Sequence, residues 1–452
     1  MSSSPPIGVS VADNVPDGTA ERPRARRLAL VLHRPPGRSM AWWLDPIWAI
    51  IAIVLPIFCF AAYLNQFNYS LYNASADFVT WQTFGLAMFS AAMLLLGIAI
   101  GRGLVRRRDM IVLVDPDRAT KVLQWFGWIA IVAYVLLLGT LLYRFDLVLE
   151  LLRGNAAAAG LLREALGRIP GVTSLVQFGI VYLALLSALV TLAGYQMPSR
   201  IRQIALAIIV LTFLRSVLNS ERLALLEILA AMFMIPIAYR WRPSALRNFA
   251  PFIGVGAVFA AFAAGEYFRS WQYYRLFYRS YLDFISQRFA GYFSTSINNG
   301  AGAYLMYGRH HPTPEITIGW ISKFPGLRTF FASEDDSMMN QYLQKYATLE
   351  FNNPGGFFSA YLDYNFVVAS LFMIGLGILI GSVHRSFQNG NLAGLMLYPA
   401  VFLGLTDLIR VIYIVDTRTL PIFLGTAIVF YALRPMQLPR DRFLAQVASA
   451  AN

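Results

Sequence analysis

Cysteine, lysine and charged residues are all scarce in this chain of 452 residues. Cys59 is the only cysteine, which excludes an internal disulfide and any cysteine-based metal site. The four histidines show neither HxxxH nor HExxH spacing, so we expect no bound metal and no cofactor. Charged residues make up 13% of the chain, whereas soluble proteins carry roughly a quarter. With 57% hydrophobic residues and a mean hydropathy of +0.54, the composition indicates a polytopic membrane protein.

The sequence contains many long apolar runs. A transmembrane helix needs roughly 20 mostly apolar residues. We therefore predict an all-α polytopic membrane protein with about ten transmembrane helices. The predicted spans are residues 44–63, 78–100, 123–143, 172–193, 201–219, 222–239, 250–267, 358–382, 392–410 and 419–433.

Arginine and lysine set the expected orientation, because cytoplasmic loops carry an excess of both. The N-terminal segment RPRARR and every second connection contain arginine, whereas the first connection on the other side, NQFNYSLYNASAD, has neither residue. We predict an N-in, C-in protein with one large extracytoplasmic loop between helices 7 and 8. The predicted regions are a disordered basic tail over 1–42, helices 1–7 over 43–267 with an interfacial segment near 145–170, the loop over 268–357, helices 8–10 over 358–434 and a cytoplasmic tail over 435–452.

Charged residues fall inside the predicted fifth and sixth spans near their outer ends. Arg215 lies about a turn and a half from the outer end of the fifth span, and Arg222 opens the sixth. Glu227 lies five residues deeper, about 7 Å at the helical rise. Charges at this depth cost a few kcal/mol and usually face a partner or a cavity. In one interpretation Glu227 neutralises an arginine, or both arginines reach up to lipid headgroups. In the other, the two guanidinium groups bind a diphosphate through forked hydrogen bonds.

The last two spans repeat this pattern. Asp407 and Arg410 are three residues apart, and Asp416 and Arg418 flank the next turn. Opposite charges at such spacing are typical of structural ion pairs. Arg410 is a second-rank candidate for substrate binding.

The polar loop opens with alternating arginines and aromatic residues. The spacing of Phe268, Trp271, Tyr274, Phe277, Tyr278 and Tyr281 predicts that the seventh span continues out of the bilayer as a helix. Arg275, Arg279 and Asp283 would lie on one face of that helix. The tyrosines are typical of an aromatic belt at headgroup level. Arg269 and Trp271 are the stronger candidates for a site at the outer mouth.

The middle and end of the loop carry further candidates. His310 and His311 are adjacent, and an unperturbed imidazole titrates near neutral pH, where a general base is effective. Paired histidines before a proline are equally typical of plain surface loops. Arg328 follows in FPGLRTFF, and the sequence NNPGG forms a turn before Tyr361 and Asp363.

The order of these motifs resembles the bacterial oligosaccharide repeat unit polymerases, the O-antigen polymerases, and more distantly the O-antigen ligases. The resemblance rests on SERLALL opening a span, FRSW leaving the next, a large outer loop with FPGLRTFF, and NNPGGFFSAYLDYNF leading back into the membrane. It covers roughly residues 200 to 385.

The resemblance implies a glycosyltransferase of the bacterial inner membrane. Its donor would be an oligosaccharide on undecaprenyl diphosphate, and its acceptor another lipid-linked repeat unit. A flippase and a chain-length regulator of the same pathway would be partners, together with membrane lipids and without nucleic acid. Arginines matching Arg222 and Arg269 hold the lipid diphosphate in the ligase branch, so such an enzyme needs no metal.

One departure favours polymerase over ligase. Ligases have His-Asn before the span that follows the loop, where this chain has Asn352 and Asn353. The general base is therefore open among His310, His311, Asp363 and Glu266. The substrate-binding candidates are Arg215, Arg222, Arg269, Trp271, Arg275, Arg328, Asn353 and Arg410. A ligase-like transferase, a transporter or flippase of lipid-linked glycans, and a non-catalytic scaffold are the alternatives.

Overall fold

The protein is predominantly helical, with helices long and apolar enough for a multi-pass membrane protein. The computed structural model describes residues 30–33, 40–67, 76–139, 144–152, 161, 171–218, 222–307, 314–321 and 338–451. Within these ranges, seven helices are long and apolar enough to cross a membrane. They are Pro46–Asn65, Trp81–Leu104, Pro116–Gly139, Val172–Ala193, Ala245–Tyr267, Phe366–Gln388 and Leu392–Ile409.

We number the elements in chain order. The strands are β1 (Leu30–His33), β2 (Met110–Val114) and β3 (Met436–Pro439). The first helices are α1 (Pro46–Asn65), α2 (Trp81–Leu104), α3 (Pro116–Gly139), α4 (Phe145–Leu152), α5 (Val172–Ala193), α6 (Ser199–Leu218), α7 (Arg222–Tyr239) and α8 (Ala245–Arg269). The others are α9 (Trp271–Tyr274), α10 (Tyr281–Tyr307), α11 (Met338–Tyr346), α12 (Gly356–Asp363), α13 (Phe366–Gln388), α14 (Leu392–Thr406), α15 (Leu420–Leu433) and α16 (Arg440–Ala451).

A three-stranded antiparallel sheet joins the two chain ends to the α2–α3 connection. Leu30 pairs with Val114 between β1 and β2, and Met110 pairs with Pro439 between β2 and β3. The predicted disorder of residues 1–42 is therefore wrong for Leu30–His33. The tail over 435–452 likewise contains β3 and α16. Short apolar segments such as LVLH and MIVLV satisfy their backbone groups by pairing with one another, which neither segment can do alone.

The predicted eighth span, residues 358–382, is divided in two. Helix α12 ends at Asp363, and Tyr364 has extended backbone angles. Asn365 then caps α13, because its side chain accepts a hydrogen bond from the Val368 backbone N–H at 3.0 Å. The helix that is long enough to cross a membrane therefore begins at Phe366, and α12 is a separate short helix before it.

Helices α2 and α13 make the closest backbone contact in the described bundle. Gly97 and Gly101 on α2 face Gly377 and Gly381 on α13. An added Cβ on Gly377 would overlap the carbonyl oxygen of Leu94, and one on Gly381 would overlap that of Ile98. Small residues four apart let membrane helices approach this closely. The contacts advance along both helices in the same direction, so α2 and α13 are parallel.

The predicted helical continuation of the seventh span is wrong. Helix α8 ends at Arg269, α9 is a single turn, and α10 begins at Tyr281. Because the chain folds back, the rings of Trp271, Tyr274 and Tyr278 pack around Phe284 on α10. A straight helix would leave these rings exposed. Arg275 and Arg279 precede α10, so they do not share a helix face with Asp283.

Helix α10 carries much of the large loop into the protein core. Asn65 at the end of α1 donates from Nδ2 to the Ser294 carbonyl at 3.0 Å. The side chain of Asn298 accepts from the Phe78 N–H at 2.6 Å and donates to the Ala76 carbonyl at 3.0 Å. These buried amides join α10 to the end of α1 and to the α1–α2 connection, so the loop is packed onto the bundle instead of projecting from it.

The interfacial segment near 145–170 is described only in part. Helix α4 lies at its start, and Leu147 is buried. Residues 153–160 and 162–170 lie outside the described residues, so the interfacial position of the segment stays a prediction.

Candidate functional site

Arg215 is buried at the end of α6 that lies far from the sheet. Helix α6 starts near the sheet, because Tyr195 just before it bonds Thr120 near the start of α3, at 2.6 Å. Arg215, in the last turn of α6, is only 6% exposed and interacts with the hydroxyl of Tyr134 on α3. That hydroxyl also bonds Thr212 at 2.7 Å. A guanidinium group is therefore held in a polar niche between helices.

Glu227 pairs with an arginine, but the partner comes from a distant part of the chain. Its carboxylate accepts from Arg418 Nη2 at 3.2 Å and from the hydroxyl of Tyr413. Glu227 is 5% exposed, whereas 22% of the Arg418 side chain is exposed. Glu227 thus has an arginine as its ion-pair partner, Arg418, which the sequence did not indicate. The arginine end of this pair is the more accessible one.

Arg410 and Asp407 form the ion pair that their spacing predicts, at 3.2 Å. The Arg410 guanidinium also lies over the ring of Tyr292 on α10, 5.1 Å from its centroid. Its Nε atom is buried and has no hydrogen-bond partner among the described residues. Since 26% of this side chain is exposed, Arg410 keeps part of its bonding capacity for another group.

The connection between α14 and α15, residues 407–419, brings these charges together with the large loop. Its Arg410 carbonyl accepts the Gly355 N–H at 3.0 Å, and its Val415 carbonyl accepts from Trp320 Nε1 at 3.1 Å. Gly355 has a φ of +68°, a conformation that glycine adopts without strain. The NNPGG turn and the segment 314–321 therefore both dock on this connection.

Asn353 lies in the same turn, half-buried. Its carbonyl accepts a hydrogen bond from the Asn299 Nδ2 of α10 at 3.4 Å. The turn is thereby held between α10 and the 407–419 connection.

Glu266 is committed to a buried ion pair. It lies at the end of α8, is fully buried, and contacts Arg288 of α10, with 2.6 Å between Oε2 and Nε. Arg288 also pairs with Glu350, and its guanidinium lies 5.3 to 5.7 Å from the ring centroids of Tyr274, Phe284 and Phe351. This geometry leaves Glu266 enclosed, so it is poorly placed to take a proton from a substrate.

Trp271 and Arg275 lie in the turn between α8 and α10. The Trp271 ring packs edge-on against Tyr281 at 5.3 Å and is half-buried. Arg275 is exposed. Arg269 is the last residue of α8, and Arg222 is the first residue of α7. Only the backbone of these two residues is described. The main contacts of helix α8 are with α9, α10 and the turn at Trp42–Leu44. These contacts do not bring Arg269 against α6 or α7.

Asp363 holds the segment 314–321 onto α12. Its carboxylate accepts hydrogen bonds from the Thr317 N–H at 2.7 Å, the Thr317 hydroxyl at 2.6 Å and the Ile316 N–H at 3.1 Å. Burial raises the pKa of Asp363 to about 6, against the lowering effect of these bonds. A carboxyl group with this pKa is suited to proton transfer near neutral pH, although its oxygens here are already occupied.

His310, His311 and Arg328 lie outside the described residues, so their roles stay predictions. Within the described ranges, the structure brings together Arg215, Glu227 and Arg418, with Arg410 on the same connection as Arg418. Sequence reasoning missed Arg418 as a partner of Glu227, because the nearby Asp416 suggested a local ion pair instead. Among the described residues, no three metal-ligating side chains cluster.

Comparison of the chain with protein-family models, with characterised proteins and with solved structures finds no match. The resemblance to the O-antigen polymerases therefore depends on the motifs quoted above.

The raised pKa of Asp363 makes stability depend on pH. The folded value of about 6 exceeds the unfolded value of 3.8, so protonation favours the folded state. The stabilising contribution is complete below pH 4 and is lost as the pH rises through 6. We expect the free energy of unfolding to fall by about 3 kcal/mol over this range relative to Asp363→Asn. Thermal unfolding of both proteins in detergent between pH 4 and 7 measures this, and parallel curves would contradict it.

Proposed function

We propose that this protein is a glycosyltransferase that polymerises lipid-linked oligosaccharide repeat units at the outer face of a bacterial inner membrane. The observation that carries the proposal is the group of buried or half-buried arginines, Arg215, Arg410 and Arg418, at the end of the bundle far from the sheet. Glu227 pairs with Arg418, the acids Asp407 and Asp416 lie on the same connection as Arg418, and Arg410 keeps a buried Nε without a hydrogen-bond partner among the described residues. A diphosphate would receive charge-assisted hydrogen bonds from these guanidinium groups, Arg410 first among them.

The proposed topology has ten transmembrane helices with both chain ends inside. Two contacts support it. The sheet keeps both chain ends and the α2–α3 connection on one side, which requires an even number of crossings between them. The parallel packing of α2 and α13 requires an odd number of crossings between these two helices, and the proposed spans 3–7 provide five.

In the proposed reaction, a hydroxyl oxygen of the acceptor sugar attacks the anomeric carbon of the donor. The new C–O bond forms as the bond from that carbon to the diphosphate oxygen breaks, with inversion. The hydroxyl proton passes to a general base, and the diphosphate leaves into the arginine group, which stabilises its charge without a metal. Since Glu266 is committed to Arg288 and Asp363 to Thr317, the proposal assigns the base to His310 or His311.

Purified protein with lipid-linked repeat units in detergent tests this function. We expect a ladder of extended glycans on a gel, and about 100-fold slower extension for Arg222→Ala and for Arg410→Gln, as when one transition-state donor is removed. Arg242→Ala, an exposed arginine outside the arginine group, is the matched control and should retain the full rate.

The same assay separates a polymerase from a transporter. A detergent micelle has no second compartment, so a ladder formed there cannot result from transport. Absence of any ladder from folded wild-type protein, or normal polymer length in the Arg222→Ala variant, would refute the assignment.

A further inference from the structure

A cavity of about 320 Å³ lies at the opposite end of the bundle, next to the sheet. It is enclosed by the start of α1, the end of α13 and the segment before β2. Its wall includes Trp42, Asp45, Trp48, Arg107, Asp109 and His384. None of these residues belongs to the proposed transferase site.

The cavity lies at the boundary of the apolar region. Helix α1 begins at Pro46 and α13 ends at Gln388, so the cavity is level with the ends of two membrane-crossing helices. Trp48 is 55% exposed, and tryptophan at such a boundary is typical of the lipid interface. Residues Ile50–Val54 of α1 form a π-helical segment just beyond it, an irregularity that is frequent at functional sites.

Two buried hydrogen-bond donors lie in and behind the cavity wall. His384 is fully buried, and its Nδ1 lies 3.3 Å from Nη2 of Arg102. Because an arginine only donates, Nδ1 accepts, and the proton of the neutral ring is then on Nε2. Nε2 of His384 and Nε of Arg102 are both buried without a hydrogen-bond partner among the described residues. Donors without a partner are uncommon in folded proteins, so the polar groups in and behind the cavity wall are not fully satisfied by the described part of the protein.

Two opposite charges on the cavity wall are also uncompensated. Arg107 and Asp109 are exposed, and neither forms an ion pair with the other or with another described residue. The remaining acid in the wall, Asp45, is paired with Arg102. The cavity thus offers one cation and one anion, which suits a ligand that carries both charges.

We propose that this cavity binds the headgroup of a phospholipid that carries a phosphate and a primary ammonium group. The phosphate is bound by Arg107 and the ammonium by Asp109. The acyl chains extend past Trp48 along the apolar surface of α1. The inference goes beyond the proposed transferase activity and does not depend on it.

Lipid binding to the delipidated, purified protein tests this proposal. Native mass spectrometry would follow titration with phosphatidylethanolamine, phosphatidylcholine or phosphatidylglycerol, with inorganic phosphate as a separate arm read by thermal shift. We expect phosphatidylethanolamine to bind most tightly, because a quaternary ammonium cannot donate hydrogen bonds to Asp109 and glycerol carries no charge. Arg107→Ala should bind it about tenfold more weakly, since a charge-assisted hydrogen bond is lost.

Two variants make the result specific. Arg108→Ala removes a neighbouring exposed arginine outside the cavity wall and should bind the lipid like the wild type. Asp109→Asn should abolish the preference for phosphatidylethanolamine over phosphatidylglycerol. Equal weakening by Arg107→Ala and Arg108→Ala, or an unchanged preference in Asp109→Asn, would overturn the proposal. So would a stabilisation by inorganic phosphate that no lipid adds to. Because lipid binding is read without turnover, failure here leaves the transferase test unaffected.

Discussion

Replacing Gly377 by leucine should prevent the protein from reaching its folded state. An added Cβ at this position would overlap the carbonyl oxygen of Leu94 and would lie 2.8 Å from the Cα of Gly97. Both obstacles are backbone atoms of α2, so no side-chain rotation relieves them. Overpacking of a tight core typically costs 1–3 kcal/mol where side chains yield, and we expect more than about 3 kcal/mol here.

The effect is large because two glycines on each helix contact the backbone of the other helix. Gly97, Gly101, Gly377 and Gly381 all meet backbone of the opposite helix, so one bulky residue would separate α2 from α13 along its whole length. Membrane helices depend on such close packing, because lipid gives little hydrophobic drive for their association. Separation of these helices would also displace α12, which contacts both of them.

Gly375→Leu is the matched control for this experiment. Gly375 lies on the same helix two residues away, and an added Cβ there meets no atom within 4 Å. We expect this variant to elute as a monodisperse peak in size-exclusion chromatography and to melt within a few degrees of wild type. Gly377→Leu should give aggregate or no purifiable protein. Similar elution and melting of both variants would contradict the packing described here.

The second large effect is expected for Arg288→Met. This change leaves the fully buried carboxylate of Glu266 without its 2.6 Å partner and also removes the contact with Glu350. Removing one member of a buried ion pair costs about 3–5 kcal/mol, because the remaining charge is uncompensated. Thermal or denaturant unfolding in detergent measures the loss.

A double substitution separates the ion pair from simple packing. The double variant Glu266→Gln, Arg288→Met leaves no buried charge at this ion-pair site, so we expect most of the lost stability to return. If the double variant is as unstable as Arg288→Met alone, the arginine acts through its packing against the surrounding rings. Asp283→Asn, an acid near the start of α10 whose side chain accepts from Gln287, should change stability little and serves as the surface control.

The helices of the bundle were largely predictable from the amino-acid sequence. An apolar run of about 20 residues has few alternatives to a membrane-crossing helix, because every backbone group must be satisfied within the segment. Helices α1 to α3, α5 to α8 and α13 to α15 accordingly overlap their predicted ranges. The break at Tyr364 was missed because residues 358–382 are mostly apolar, and the Asn365 cap is a weak local signal.

The aromatic segment after Arg269 was predicted incorrectly for a different reason. Its spacing of three and four residues fits a helix, but the same rings pack just as well in a turn that folds back on α10. The contacts with Phe284 and Tyr281 of α10 favour the turn. Glycine spacing was similarly ambiguous: the GxxxG pattern at Gly97 and at Gly377 is visible in the sequence, but its partner helix is not.

The sequence alone shows that charged residues lie within or beside apolar helices, because the apolar run and the charge are part of the same segment. Such a charge is costly unless a partner compensates it. The tertiary structure alone decided which opposite charge compensates each one. Glu227 is paired with Arg418, 191 residues away, although Arg222 is nearer in the chain. Compensation requires contact in space, and helix packing sets that contact.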